Sequence, residues 1–164
     1  ELRDGDIVSV DCGTILDGYV GDSAYTFTVG EVPEEIKLFL QRSKESLYKG
    51  IEQAVSGNRI GDIGYAIQSY VEQFGYGVVR ELVGHGVGEK LHEDPMVPNY
   101  GKYNSGVVLQ EGMTLAIEPM STLGKKEVYL EDNDWTVSTA DGLVSAHYEN
   151  TVIVTDDEPL VVTL

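Results

Sequence analysis

Residues 6–29 are DIVSVDCGTILDGYVGDSAYTFTV. Two segments suited to strands, 6–12 and 23–29, flank Asp17-Gly18, a dipeptide typical of a type I′ hairpin turn. With these two residues at the centre of the turn, Asp11 faces Ala24 across the hairpin. Asp11 and Asp22 then lie on one face as diagonal neighbours, about 7–8 Å apart at Cα. The hairpin is therefore predicted to bring two carboxylates together.

Two helices are predicted from apolar residues that recur every three or four positions. The first begins after Pro33 and extends to Gly57. The second begins at Asp62, as its N-cap, and ends at Gly75. We expect the apolar face of each helix to pack in the core rather than to bind a cofactor.

The second half of the chain is predicted to contain strands and one long loop. Residues 78–83 and 113–118 are strand candidates, whereas 89–106 has the prolines and glycines of a loop and a length that is uncommon unless the loop is functional. A second hairpin is predicted around Asp141-Gly142, between strands at about 134–139 and 143–154. Because helices and strands occur in separate blocks, the predicted fold class is α+β with a mixed or antiparallel sheet.

The composition is that of one globular domain with a strong negative charge. A chain of 164 residues buries about 70% of the surface of its unfolded form, which is enough for a core. The formal charge of −17 repels nucleic acid and anionic membranes, and no run approaches the roughly 18 apolar residues that span a bilayer. A lone cysteine, Cys12, excludes an internal disulfide. We expect a soluble, cytoplasmic protein that binds neither nucleic acid nor a membrane.

Two further carboxylates lie in segments otherwise suited to half-buried strands. Glu118 lies in MTLAIEPM and Glu149 in SAHYENTVIV. A carboxylate among apolar neighbours must be paired, protonated or bound to a cation, because desolvating it alone costs several kcal/mol. With Asp11 and Asp22 they are four candidate metal ligands, and the alternative for each is an exposed position on a solvent face.

Residues 84–95, GHGVGEKLHEDP, contain His85 and His92, two of the three histidines. One imidazole together with carboxylates suits Mn, Fe, Co or Zn, and the absence of clustered cysteines argues against a structural zinc site. The alternative for His85 is an ordinary loop or core histidine, and Trp135 is by default a core aromatic. From residue spacing alone, a binuclear metal site is one hypothesis, beside exposed carboxylates and an ordinary loop or core histidine.

Four segments, in this order, resemble the type I methionine aminopeptidase family of the pita-bread fold. They are VDCGTILDGYVGDS, GHGVGEKLHEDP, LAIEPM and DWTVSTADGLVSAHYENTVIVT. The resemblance extends over essentially the whole chain, and the four segments are highly specific together. It implies a pita-bread α+β fold, a curved mixed or antiparallel sheet with flanking helices, and removal of the N-terminal methionine from nascent proteins and peptides.

The same resemblance implies a site with two divalent metal ions, Co, Mn, Fe or Zn, about 3.5–4 Å apart. Asp22 and Glu149 would bridge the ions, His85 and Glu118 would complete one of them, and Asp11 would complete the other.

The implied reaction is hydrolysis of the first peptide bond by water that the ions activate. Glu118 is the implied proton shuttle, and His92 would contact substrate and donate a hydrogen bond to the developing oxyanion. Leu91 and Trp135 match positions near the methionine pocket. We further expect a monomer that associates with the ribosome.

The chain departs from the family in two respects. It begins without Met, at ELRDGD, whereas several dozen residues precede this strand in the family and supply helices, a partner hairpin and another substrate-contacting histidine. We therefore expect 1–164 to be a single catalytic domain truncated on its N-terminal side, with exposed core surface, one pocket wall open, and weak or absent activity. The second departure is His147, where the family commonly has Gln; it would line the pocket as a neutral residue or bind a stray metal.

Two other functions are the alternatives. A proline-directed aminopeptidase or prolidase would use the same five ligand types, but GHGVGEKLHEDP and WTVST favour the methionine enzyme. A catalytically silent pita-bread module that binds metal or protein is the second alternative, and it is the more serious one for this chain on its own.

Overall fold

The structure is a computed structural model, and it describes residues 1–163. Within these residues the helices are α1 (Glu34–Ile51) and α2 (Ile60–Glu72). The strands are short, and in chain order they are β1 (Ile7–Asp11), β2 (Thr14–Leu16), β3 (Tyr19–Gly21), β4 (Ala24–Thr28), β5 (Gly77–Val78), β6 (Gly84–Gly86), β7 (Glu93–Val97), β8 (Thr114–Ile117), β9 (Met120–Thr122), β10 (Val128–Leu130), β11 (Val137–Thr139), β12 (Ser145–His147), β13 (Asn150–Ile153) and β14 (Leu160–Val161).

The first hairpin has the predicted register. β1 pairs with β4 and β2 with β3, both antiparallel, and Asp11 faces Ala24. Asp17 and Gly18 have φ angles of 50° and 89°, which a type I′ turn requires at both central positions. The turn chemistry therefore determines which residues face one another, and the prediction for this hairpin is confirmed.

Helix α1 ends six residues earlier than predicted, at Ile51 rather than Gly57. Beyond the helix, Val55 forms a parallel bridge with Thr155, and the N–H of Ser56 donates to the carbonyl of Thr155 at 2.8 Å. The apolar spacing continues through this segment because Ala54 is fully buried in the core, while Val55 is half-buried. The backbone hydrogen bonds of the segment, however, go to another part of the chain instead of to a helical turn.

Helix α2 begins two residues before Asp62, so the prediction of Asp62 as N-cap is wrong. Arg59 occupies that position, and its N–H donates to the Asp62 carboxylate at 2.8 Å. The other carboxylate oxygen accepts the N–H of Asn104 at 2.6 Å. Asp62 thus stabilises the helix start from inside the first turn and attaches the 98–106 segment to it.

The largest sheet has five antiparallel strands in the order β14-β13-β8-β6-β7. Two predictions for this part of the chain were wrong: of the predicted strand 78–83 only Val78 lies in a strand, β5, and the predicted loop 89–106 contains β7. The predicted second hairpin is also wrong, because β11 pairs with β10 and β12 pairs with β9. At the turn around Asp141-Gly142, the Asp141 carboxylate accepts the N–H of Lys125 at 2.7 Å. This bond directs the chain from β11 in one sheet to β12 in another.

The core lies between the two helices and the sheets. Its largest fully buried side chains come from α1, α2, β8 and β13 and include Phe39, Ile63, Ile67, Leu115, Ile117 and Val152. Strand β8 is central because it pairs with β13 on one side and with β6 on the other. Among residues 1–163, neither helix combines the length and the apolar character that a membrane crossing needs.

Candidate metal centre

Five side chains, which lie between positions 11 and 149 of the sequence, come from five different strands or strand ends. Asp11 ends β1, Asp22 follows β3, His85 is in the middle of β6, Glu118 follows β8, and Glu149 precedes β13. Asp22, His85 and Glu149 each offer one ligand atom, and these three atoms lie within 4.8 Å of one another. The other two side chains adjoin this group, since Glu118 Oε1 is 3.5 Å from His85 Nε2, and the charge of Asp11 raises the pKa of both Asp22 and Glu149.

Backbone hydrogen bonds connect Asp22 and Glu149 across 127 positions of sequence. The Thr151 hydroxyl accepts the N–H of Asp22 and donates to its carbonyl, both at 2.8 Å. The N–H of Glu149 donates to the carbonyl of Ala24 at 2.9 Å, and the Ser23 hydroxyl donates to the carbonyl of Glu149 at 3.2 Å. These bonds hold the turn after β3 against the start of β13, so the two carboxylates keep their relative position.

Glu118 is held by a buried amide. The side-chain NH₂ of Asn99 donates to the carbonyl of Glu118 at 2.9 Å, and Asn99 is fully buried. Glu118 follows the last residue of β8 and precedes Pro119, which has no N–H to continue the ladder. The side chain therefore projects where the strand ends instead of from its regular face.

His85 has its tautomer set by its neighbour. Nδ1 lies 2.9 Å from the carbonyl oxygen of Gly86, and because a carbonyl only accepts, Nδ1 bears the hydrogen. In the neutral ring Nε2 then has a free lone pair, and it faces Asp22 Oδ2 at 3.7 Å and Glu118 Oε1 at 3.5 Å. A lone pair aimed at two carboxylates requires a cation or a proton between them.

Burial makes ionisation of this cluster costly. Burial and, after it, the charges of Glu118, Asp22 and Asp11 together raise the pKa of Glu149 to about 9. Burial also raises the pKa of Asp22, with Asp11 acting in the same direction and His85 opposing. At neutral pH the Glu149 carboxyl of the metal-free cluster therefore holds a proton.

These residues fit divalent metal ions. Glu149 is only 2% exposed and its Oε1 has no hydrogen-bond partner among the described residues, so it is a buried acceptor without a donor. Carboxylate oxygens with one imidazole are the donor set that Mn, Fe, Co and Zn accept. A cation would satisfy the orphaned oxygen, the His85 lone pair and the excess negative charge together.

Metal binding at pH 7 is expected to release about one proton, because Glu149, with a pKa of about 9, must lose its proton to become a ligand. Calorimetric titration with Mn²⁺ in several buffers of different ionisation enthalpy measures this number. The release is expected to fall as the pH rises through 9, where Glu149 is already ionised. Metal binding with no proton release at pH 7 would contradict the raised pKa.

The residues predicted to contact substrate occupy different surroundings. His92 is exposed and stacks edge-on against His85, with ring centroids 4.3 Å apart. Both rings line an open cavity of about 810 Å³. Leu91 lies beside Gly13, where its Cδ1 is 3.2 Å from the place a β-carbon would occupy. Trp135 is 87% exposed, so the default interpretation of a core aromatic is wrong, and its predicted place near a methionine pocket stays a prediction.

Sequence analysis missed Thr151 and Asn99, which hold the backbone of the candidate ligands. A polar residue in an apolar strand is the signal for Thr151, since its neighbours Val152 and Ile153 belong to the sheet interior. For Asn99 the sequence offers no comparable signal, because it follows Pro98 in a segment with loop composition.

Comparison with known proteins agrees with this geometry. The family model described as metallopeptidase family M24 matches residues 1–156. The methionine aminopeptidase of Clostridium acetobutylicum is 56% identical over 163 residues, which are 99% of this chain and 65% of that protein. The crystal structure of methionine aminopeptidase from Rickettsia prowazekii superposes with a TM-score of 0.97 at 43% identity, over 99% of this chain and 66% of that one.

A more distant structure has the same fold. The prolidase from Pyrococcus furiosus superposes with a TM-score of 0.79 at 25% identity, over 99% of this chain and 42% of that one. The predicted pita-bread α+β fold and the resemblance to type I methionine aminopeptidases are confirmed by these matches. The chain spans about 65% of the length of the curated relative from Clostridium acetobutylicum. With a model that matches nearly its whole length, the chain belongs to metallopeptidase family M24.

Proposed function

We propose that the protein removes the N-terminal methionine from peptides and nascent chains, as a methionine aminopeptidase that uses two divalent metal ions. The observation that supports this most directly is the meeting of the Asp22, Glu118 and Glu149 carboxylates with His85, whose Nε2 lone pair faces two of them. The relative from Clostridium acetobutylicum, at 56% identity, is a methionine aminopeptidase. The prolidase from Pyrococcus furiosus has 25% sequence identity, less than half of that value, which favours the methionine enzyme over the proline-directed alternative.

Each candidate ligand has a place in the proposed centre. Asp22 and Glu149 are the proposed bridging pair, because backbone hydrogen bonds attach the segments of both to each other. His85 and Glu118 are the proposed ligands of one ion, and Asp11, whose charge acts on both Asp22 and Glu149, is the proposed ligand of the other. Bound divalent ions would supply Lewis-acid chemistry there, polarising a carbonyl and lowering the pKa of water toward about 7.

The protein's own residues would orient the substrate and move protons. Glu118 is the proposed proton shuttle, since its carboxylate lies at the open end of β8 within 3.5 Å of His85. His92 is exposed to the cavity and close to His85, so its N–H is the proposed donor to the oxyanion that develops on the scissile carbonyl. Leu91 and Trp135 are the proposed contacts of the methionine side chain.

The partners follow from the same proposal. Substrates would be peptides and nascent chains with a free N-terminal methionine, and the charge of −17 makes nucleic acid an unfavourable partner. A monomeric state and association with the ribosome stay predictions.

The proposal is tested by methionine release from the peptide Met-Ala-Ser. We expect weak methionine release with Mn²⁺ or Co²⁺, because the chain spans about 65% of the curated relative, and we expect the release to stop when a chelator is added. The variant Glu118→Gln is expected to lower the rate by about 10²–10⁴-fold, because it removes the proton shuttle and a ligand oxygen. The control Glu111→Gln alters an exposed carboxylate outside the cluster and is expected to leave the rate unchanged.

The alternatives give different results in the same assay. Metal binding without methionine release would favour the silent binding module and contradict the proposal for this chain. Release from an X-Pro peptide but not from Met-Ala-Ser would favour the proline-directed enzyme.

A further inference from the structure

The carboxylate of Glu118 lies between two imidazoles, and the proposed reaction uses only one of them. Its Oε1 is 3.5 Å from Nε2 of His85, and its Oε2 is 3.3 Å from Nε2 of His147. Both contacts are secluded, since the His147 and Glu118 side chains are 15% and 10% exposed. The two oxygens of one carboxylate are therefore in different surroundings, one in the candidate metal cluster and one against His147.

The backbone of His147 is fixed on both sides by one hydroxyl. Its N–H donates to Thr26 Oγ1 at 2.9 Å, and its carbonyl accepts the Thr26 hydroxyl at 2.8 Å. Across the sheet His147 pairs with Met120, two positions after Glu118. This register brings the imidazole to the end of β8, and the bonds to Thr26 in β4 prevent it from sliding along the strand.

The Nε2 atom of His147 needs a partner. It is buried and makes no hydrogen bond among residues 1–163. A buried polar group without a partner costs about 1–3 kcal/mol. Glu118 Oε2 lies 3.3 Å from it, so this carboxylate oxygen is an acceptor within reach of an Nε2–H.

We propose that His147 is a positioning residue for Glu118: its Nε2–H holds Oε2, so that Oε1 alone is directed toward His85 and Asp22. This proposal rests on the proposed metal centre and deepens it, because it assigns how Glu118 is oriented there. A carboxylate fixed by one oxygen loses less side-chain freedom when its other oxygen binds a cation. Groups that orient ligands in this way are typically worth about 10–100-fold in metal affinity.

Two matched amide variants test this role. His147→Gln keeps an N–H donor at a reach similar to that of imidazole Nε2, whereas His147→Asn has the same amide on a side chain one methylene shorter. Calorimetric titration of the full chain with Co²⁺ measures affinity, and thermal melts without metal verify that both variants fold. We expect His147→Gln to bind Co²⁺ like the unaltered chain and His147→Asn to bind it about 10–100-fold more weakly.

The visible absorption of bound Co²⁺ separates positioning from ligation, because it reports the coordinating atoms. The spectrum is expected to be the same in the unaltered chain and in His147→Gln. A changed spectrum with equally weak binding by both variants would make His147 a metal ligand and overturn the proposal. Equal affinities for all three chains would overturn it as well.

The failure of the proposed function is recognised separately. Co²⁺ binding that responds to the two variants as expected, in a chain that releases no methionine from Met-Ala-Ser, would contradict the aminopeptidase activity and support the positioning role. Methionine release together with equal Co²⁺ affinities for all three chains would support the aminopeptidase activity and contradict the positioning role of His147.

Discussion

Replacing Glu149 by Gln is expected to remove divalent-cation binding and, in the metal-free protein, to raise the free energy of unfolding at neutral pH. Glutamine has nearly the same shape but no charge, so the cluster loses its most buried carboxylate. The metal affinity is expected to fall by more than about 100-fold, since even groups that only orient ligands are worth up to that much. If Glu149→Gln binds divalent cations more weakly than the unaltered chain and is more stable without them, the native carboxylate lowers the stability of the fold in exchange for metal binding.

The stability gain has a defined pH dependence. The fold raises the pKa of Glu149 from 4.5 to about 9, so between these values the folded chain holds a proton that the unfolded chain has released. The contribution of Glu149 to stability is therefore unaltered below pH 4.5, declines as the pH rises toward 9, and is lowest above it. Glutamine does not titrate, so the advantage of Glu149→Gln is expected to grow over this range.

Urea unfolding of the metal-free chain and of Glu149→Gln at about pH 5, 7 and 9 measures this difference. The exposed Glu111→Gln serves as control, because it makes the same Glu-to-Gln exchange outside the cluster and is expected to show no such growth. If Glu149→Gln is instead less stable than the unaltered chain at all three pH values, the carboxylate is stabilised in the fold and the repulsive cluster is refuted. Adding Mn²⁺ is expected to reverse the order, since only the unaltered chain gains binding energy.

The features that sequence predicted well are those with local causes. Asp17-Gly18 specifies a turn whose geometry fixes every facing pair of the hairpin, and the predicted neighbourhood of Asp11 and Asp22 followed from it. The two helices were predicted because their apolar spacing is local as well. Their ends were misplaced because hydrogen bonds from distant residues, such as Ser56 to Thr155, replace the helical ones.

The features that sequence missed depend on long-range pairing. The GHG segment has no strand propensity, yet β6 is an inner strand because β7 and β8 pair with it on both sides. The segment 134–154 looked like one hairpin, but Asp141 binds the backbone of Lys125 and its strands join different sheets. Neither partner can be identified from the segments themselves. The family resemblance, and not the segments themselves, predicted that the five candidate ligands form one site.

The second large effect is expected at the glycines beside His85. A β-carbon added at Gly86 would overlap the carbonyl oxygen of Asp94 and lie 2.8 Å from its carbonyl carbon, both backbone atoms of β7. At Gly84 it would overlap the carbonyl oxygen of Ala116 in β8. Glycine thus allows β6 to lie close enough to both neighbours for His85 to reach Asp22 and Glu118. This explains why the histidine is flanked by glycine on each side.

Gly86→Ala is therefore expected to lower the free energy of unfolding by about 3 kcal/mol, at the upper end of the cost of overpacking. For a chain of this size the melting temperature would fall by roughly 6–12 °C. Because the backbone of β6 must shift, the Nδ1 contact of His85 with the Gly86 carbonyl changes too, and Co²⁺ affinity is expected to fall even at temperatures where the variant is folded.

Gly88→Ala is the matched control, two residues further along the same segment. Its β-carbon would lie 3.0 Å from the carboxylate of Glu93, whose exposed side chain can shift by the few tenths of an ångström needed while its Oε1 accepts the N–H of Lys90. Thermal melts and Co²⁺ titrations of the two variants should differ, with Gly88→Ala close to the unaltered chain in both. If Gly86→Ala melts and binds like Gly88→Ala, close strand packing does not position His85. If Gly86→Ala is destabilised but keeps full Co²⁺ affinity, the glycine serves the sheet alone, and His85 is positioned by the β8 pairing and not by the approach of β7.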